Sequence, residues 1–598
     1  MGKEILMNSQ TAETPKARRA SPAKPRAASA KAAAAEATSA EAVSAQVADA
    51  TPAKGAKATT AKAKTTRAKT ATAKAKAAKA KAAKAKAAKA KTTKAAKATT
   101  AKATKTAAAT ETQAGTRAPR GRRAAQKILF AVSEVAPFVS TGGMGQVVSS
   151  LPVTLQRTAK NLDVRVIAPY YQHVRQQFGA GMAFLGSIQV QLSWRSHYCG
   201  VFQIERDGVT YYFIDNEQYF DREACYGYFD DGERFAFFSK AVLSVLEMIG
   251  YMPDIIHAHD WQTALIPIYL KTVLARFYPQ IRTVFTIHNI EYQGKFTLDA
   301  LQDVCDLRSE DYGIVEYESN LNLVKGAIIC ADKLTTVSPS YAEEIKYGGG
   351  YGLEPILLMH QGKLQGILNG IDTDLYNPAT DPSLAQTFTE ETLEDKAVNK
   401  RDLQTLFGLP AAPRKPLLCM ISRLVSHKGL DLLLSIMEDL LSDDVQFLLL
   451  GTGDLHYELF FNEMAICYPD KVAVNIAYNP EIGNKIYAGA DMMLMPSRSE
   501  PCGLSQMIAS RYATIPVVRA TGGLKDTITD CRNGNGNGFL FENYDAAEFL
   551  STIRQAIHLY TYYEDDWQNL MRDAMRRDFR WDLSAKAYVE MYASLRTK

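Results

Sequence analysis

From Lys127 onward the chain alternates between two textures. Short β-branched or apolar runs (Ile128–Val132, Val164–Ala168, Thr210–Ile214, Asp254–His257, Thr283–Ile287, Lys333–Val337) each end in a small or polar turn, then give way to a longer stretch with helical spacing. A second series follows: Pro416–Ile421, Gln446–Leu450, Val472–Ile476, Met492–Met495 and Pro516–Val518. Strands alternating with helices read as βαβ units, and a continuous apolar run reads as a strand buried on both faces of a parallel sheet. Two series predict two doubly wound α/β domains, Rossmann-like in architecture, with the joint near Asn369–Asn377. The domains are drawn at 127–370 and 371–580, with a final helix over 581–598. Open parallel sheets meet ligands at the carboxyl ends of their strands, so the crevice between the two is the expected site.

The segment 1–126 has a different texture. No aromatic ring occurs before Phe130, and Ala-Lys steps with Thr repeat from about Pro52 to Thr106. Lysines every two or three residues repel, and no apolar stripe exists to dock a helix. Such a chain cannot offset an ordering cost of about 1–2 kcal/mol per residue, and a disordered tail is expected. Residues 1–123 carry a net charge of +23 and the rest −17, so the overall +6 describes neither part. The tail has three readings: a weak, salt-sensitive binder of polyanions, a solubilising extension, or an organellar transit segment. No run approaches the length needed to span a membrane, and no secretory signal precedes the body. The eight cysteines lie far apart with no Cys-x-x-Cys pair, which fits reduced thiols in the cytoplasm, or in a plastid if the tail is a transit segment.

The chemistry is concentrated where strands end. After the first strand comes Ser140-Thr141-Gly142-Gly143-Met144-Gly145-Gln146, and after Pro516–Val518 comes Thr521-Gly522-Gly523-Leu524. Glycines let backbone N–H groups approach an anion, and a helix start adds partial positive charge. Facing each other, the two turns would grip a diphosphate; each alone is equally a turn. The spacing is not that of a dinucleotide site. Arg423 and Lys428 follow the strand at Pro416–Ile421 and offer a fork and a point charge; a solvated surface pair is the competing reading. Glu500, ahead of Cys502-Gly503-Leu504, is a carboxylate suited to sugar hydroxyls or to capping a helix. Asp260 has the same strand-end location in the first domain, and His288 ends another strand there. His257 and His259 share a strand face, but a zinc site needs a third protein ligand and none is near in sequence. No metal site is assigned.

Taken together, Gly142-Gly143, His257-Ala258-His259-Asp260-Trp261, Thr286-Ile287-His288-Asn289, Ser422-Arg423-Leu424 with Lys428-Gly429-Leu430, Glu500-Pro501-Cys502-Gly503-Leu504 and Thr521-Gly522-Gly523-Leu524 resemble the bacterial glycogen synthases and plant starch synthases, in the family's order. The resemblance runs from about Lys127 to Lys598. It implies the GT-B fold and a retaining, metal-independent glucosyltransferase passing glucose from ADP-glucose to the non-reducing 4-OH of an α-1,4-glucan such as glycogen. It also implies that the last helix packs back on the first domain.

By the same resemblance, Arg423 and Lys428 stabilise the departing ADP, and the amides of Gly142, Gly143, Gly522 and Gly523, beside Thr521, line its phosphates. Glu500 with Cys502, Gly503 and Leu504 holds the sugar, His288 contacts the glucosyl unit, and Asn369 and Asp260 orient it or the acceptor. The departures are Ser140, where the family usually has Lys, and Gln146, where it usually has an acid. Loss of that cation is expected to weaken donor binding, which keeps UDP-glucose or another nucleotide sugar, and a weakly active glucan-binding or regulatory protein, as alternatives.

Overall fold

A computed structural model describes residues 124–477 and 479–596. All but the last three residues of the expected tail lie outside the described residues.

The described chain forms strands β1 (Gln126–Ala131), β2 (Leu162–Pro169), β3 (Ala183–Leu192), β4 (Arg195–Arg206), β5 (Val209–Asp215), β6 (Ile255–His259), β7 (Arg282–Ile287), β8 (Lys295–Phe296), β9 (Glu316–Tyr317), β10 (Asn320–Asn322), β11 (Lys333–Thr336) and β12 (Leu364–Gly366) in a first lobe. A second lobe holds β13 (Leu417–Ile421), β14 (Gln446–Leu450), β15 (Val472–Asn475), β16 (Met492–Met495), β17 (Ile515–Arg519) and β18 (Phe539–Phe541). The main sheet of the first lobe has the order β12-β11-β7-β6-β1-β2-β5-β4-β3; that of the second is β15-β14-β13-β16-β17-β18. Every pairing in the second sheet is parallel. Strands β6 and β14 are buried along their whole length, as two-sided helix cover requires.

The eleven apolar runs read from the sequence all fall on these strands. Missed were the short strands β8, β9, β10, β12 and β18, and the longer β3 and β4, which add an antiparallel edge to the first sheet. Strand β3 is mostly exposed and buried only at Val190 and Leu192, so it lacks the continuous apolar run of its neighbours. Asp207-Gly208, both in the left-handed region, closes the β4–β5 hairpin, and that dipeptide was a readable signal.

The lobes are tied where the chain crosses between them. The Ile371 N–H donates to the Phe579 carbonyl at 2.8 Å. A Cβ on Gly370 would lie 2.8 Å from both that oxygen and the Trp581 nitrogen. The helix Trp581–Ser594 then returns to the first lobe, against the helix Gly143–Thr158. Its Tyr592 carbonyl accepts from Gln126 Nε2 at 3.0 Å, and its Tyr592 hydroxyl lies 2.7 Å from His257 Nδ1. Elsewhere Ser338 Oγ donates to the Pro501 carbonyl at 2.6 Å, and Ser340 binds Asp526 through its N–H and its hydroxyl. Among the described residues no helix is long and apolar enough to cross a membrane.

Gly370→Ala is expected to push the two crossing segments apart at a cost of about 1–3 kcal/mol, read as a lowered Tm; an unchanged Tm would show that the crossing has slack.

Candidate active site in the cleft between the lobes

Strand β1 delivers Glu134 to the cleft side of the first lobe. Its buried carboxylate accepts from the Thr141 hydroxyl at 2.9 Å and from the backbone N–H groups of Thr141 and Gly142. Burial raises its pKa, and these donors, with Arg423 of the opposite lobe, pull it back. The helix Gly143–Thr158 has no side-chain cap, so the amides at its approach are held by a carboxylate, the charge a helix start favours. A Cβ on Gly142 would meet nothing within 4 Å, and one on Gly143 would come 4.0 Å from Leu504 Cδ1 in the second lobe. The glycine loop therefore fronts the cleft.

Asp260 follows directly on strand β6, and its backbone takes a positive φ of 54°. Its Oδ1 accepts the His288 N–H at 2.7 Å, with the Asn289 N–H as a second donor. Asp260 thus clips the end of β7 to the end of β6. Desolvation pushes its carboxyl up to about 7 against the pull of those two amides. His288 is brought beside it, with Nε2 at 2.9 Å from His259 Nδ1. Burial pushes the His288 ring down to about 3, so it is neutral at physiological pH.

In the second lobe, β13 leads into the turn carrying Arg423 and Lys428. Gly429 has a φ of 74°, and a Cβ there would lie 2.0 Å from the Pro496 carbonyl oxygen, so only glycine lets this turn seat against the loop after β16. Lys428 Nζ contacts both oxygens of Glu500 at 2.9 and 2.7 Å, and Ser497 Oγ donates to the same carboxylate at 3.0 Å. Glu500 is 5% exposed. The Arg423 side chain is exposed and its guanidinium donates no hydrogen bond to protein among the described residues. Its electrostatic pull on Glu134 and the approach of His427 Nδ1 to Glu291 Oε2 (3.5 Å) turn the whole 422–429 segment toward the first lobe.

Two of the expected site segments are engaged with protein partners. The amides of Gly522 and Gly523 are hydrogen-bonded within the protein. The Gly522 N–H donates to Glu344 Oε1 of the first lobe at 2.7 Å, Thr521 Oγ1 donates to Glu344 Oε2 at 3.1 Å, and the Gly523 N–H donates to the Glu500 carbonyl at 3.1 Å. With those donors satisfied, the turn is a contact between lobes. Lys428, expected to stabilise the departing ADP together with Arg423, shares its charge with Glu500, so the pair acts as one unit. Asn369, from the crossing segment, donates to the Cys502 sulfur, and burial pushes that thiol up to about 12. Gly503 has a φ of 72°, which carries Leu504 on toward the first-lobe loop.

Sequence reasoning missed Glu134, Glu291 and Glu344. Glu134 was findable, because it follows a strand end as Asp260 does; the helix residue Glu344 carried no such signal. The glycine-dense loop 348–352 is tied down: Gln293 Nε2 donates to the Tyr351 carbonyl at 3.1 Å and Tyr317 Oη to the Gly352 carbonyl at 2.6 Å.

Comparison with known proteins shows the family. Residues 127–359 match the family described as the starch synthase catalytic domain, and residues 405–571 match the glycosyl transferases group 1. A glycogen synthase of Bacillus cereus is 45% identical over 475 residues, covering 78% of this chain and 99% of that one. One from Desulforamulus reducens is 47% identical over 476 residues, with coverage of 78% and 98%. The catalytic domain of starch synthase IV from Arabidopsis thaliana, solved bound to ADP and acarbose, superposes with a TM-score of 0.74 at 36% identity, covering 79% of this chain and 99% of that one.

Because the Asp260 carboxyl is shifted up from about 3.9 in an unfolded chain to about 7, its ionisation opposes folding. The protonated form's advantage is complete below pH about 4 and is lost as pH rises through about 7. Asp260→Asn is expected to flatten that part of a urea-unfolding profile taken across pH 4–8; an unaltered slope would count against the shift.

Proposed function

Because the chain belongs to the family of bacterial glycogen synthases and plant starch synthases, we propose that its interlobe cleft passes glucose with retention from ADP-glucose to the non-reducing 4-OH of an α-1,4-glucan. The protein is a glucosyltransferase of the GT-B fold with glycogen or starch synthase function, acting on a nucleotide sugar and a glucan. The observation that carries the finer reading is the convergence of charge across the cleft: the exposed Arg423 of one lobe faces the Thr141–Gly142 amides and Glu134 of the other.

A diphosphate entering there would meet the Arg423 guanidinium, whose fork matches phosphate oxygens, and would compete with Glu134 for the loop amides. Arg423, and Lys428 held in place by Glu500, then oppose the negative charge that grows on the departing ADP, so protein cations do the work a metal does elsewhere. His288, neutral and oriented by its neighbours, contacts the glucosyl unit; Glu500 and the 502–504 amides hold its other side. The departing phosphate oxygen takes the proton of the incoming hydroxyl, so no side chain is assigned as general base. ADP as the leaving group is supported by the ADP bound in the starch synthase IV relative. A reduced, cytoplasmic setting is supported by eight cysteines, all free. The basic tail is read as a weak polyanion binder: retention on heparin at low salt should fall when residues 1–123 are deleted, and equal retention rejects that role.

The purified chain should release ADP from ADP-glucose only with glycogen or maltodextrin present, turn over UDP-glucose more slowly, and be unaffected by EDTA. Arg423→Ala should lower kcat about 100- to 1,000-fold. Folded protein that transfers from neither nucleotide sugar would reject the assignment. Ser140→Lys should lower the KM for ADP-glucose by restoring a cation beside the loop; an unchanged KM would separate this loop from the donor.

A further inference from the structure

We propose that His259 is a positioning residue that locks His288 in the tautomer protonated on Nδ1, so that His288 offers a hydrogen-bond donor, not an acceptor, to the glucosyl unit. This rests on the reading that His288 meets the donor sugar, and it adds which atom does so and what sets its polarity.

The two rings share one hydrogen bond, His259 Nδ1 to His288 Nε2 at 2.9 Å. Both rings are neutral, since burial holds His259 well below the ordinary imidazole range and His288 at about 3. A neutral imidazole has one N–H and one lone pair, so exactly one proton lies between them and two arrangements exist. If His288 donates from Nε2, then His259 must carry its own proton on Nε2. That atom is fully buried and no protein group among the described residues lies within hydrogen-bonding distance of it. The His259 ring packs against those of Phe130, stacked with centroids 5.4 Å apart, and of His257, with centroids 4.2 Å apart. An orphaned buried N–H is among the rarest features of folded proteins, so this arrangement is disfavoured.

In the other arrangement His259 carries its proton on Nδ1 and donates to His288 Nε2. The proton of His288 must then be on Nδ1. That nitrogen is neither hydrogen-bonded within the protein nor among the buried atoms without partners, so it faces accessible space in the cleft. The other groups packed here do not disturb the assignment. The Asp260 carboxylate is engaged with the backbone N–H groups of His288 and Asn289, not with either ring. His257 has both nitrogens occupied, by the Tyr592 hydroxyl at 2.7 Å and by Thr286 Oγ1 at 2.6 Å, so its ring is fixed as a wall behind His259. The returning C-terminal helix thereby braces the ring that sets the polarity of His288.

The test reads the tautomer directly. In the full chain labelled with ¹⁵N-histidine, long-range ¹H–¹⁵N correlation separates the two neutral tautomers, and His288→Gln identifies the His288 signals. The expected result is a protonated Nδ1 on His288; a protonated Nε2 overturns the proposal and leaves the glucosyl-contact reading standing. His259→Leu and His259→Asn have similar size, and only Asn retains an N–H where the imidazole Nδ1 was. The Leu variant should lose the single tautomer and drop kcat about tenfold, the value of one hydrogen bond, with glucan KM unchanged, and the Asn variant should recover most of both. Equal behaviour of the two variants overturns the lock. If instead His288→Gln leaves kcat unchanged, the reading beneath it fails.

Discussion

Carboxylates holding backbone donors are the constraint on which this cleft depends. Each turn that ends a strand here exposes N–H groups away from bulk water, and such donors must be satisfied. Glu134 takes those of Thr141 and Gly142, Asp260 those of His288 and Asn289, and Glu344 that of Gly522. A carboxylate is the strongest neutral-pH acceptor a side chain offers. Placed at these turns it fixes the loop, sets the local charge, and in the case of Glu344 joins one lobe to the other.

The consequence is a division between sites already filled and sites left for ligand. The Thr521–Gly523 turn is filled and serves the contact between lobes. The Thr141–Gly143 loop is held by an acid whose own ionisation is disfavoured by burial, opposite an exposed guanidinium. A diphosphate carries more charge than Glu134 and would find the same amides plus Arg423, the ground on which the donor site is proposed there. Lys428 and Glu500 illustrate the same economy of charge: each neutralises the other in a nearly buried position, where an isolated ion of either sign would be costly.

The histidines show how far positioning extends from the reacting groups. His288 is set by His259, His259 lies against His257, and His257 is anchored by Tyr592 on a helix more than 300 residues away in sequence. The return of that helix to the first lobe and the tight crossing at Gly370 make the geometry of the cleft a property of the whole body.

Much of this was legible in the residues themselves. Continuous apolar runs separated by helical spacing determined the parallel core of both sheets, because a strand covered by helices on both faces has no polar side to show. Glycines, acids and cations at strand ends marked the cleft, since parallel sheets present their ligands at that edge, and the ordered set of motifs pointed to the family. What tertiary structure alone decided was which amide met which carboxylate. Gly522 and Gly142 look alike in sequence, yet one faces Glu344 and the other borders Glu134, because hydrogen-bond partners far apart along a chain are chosen by how the lobes pack, and local pattern carries no record of that choice.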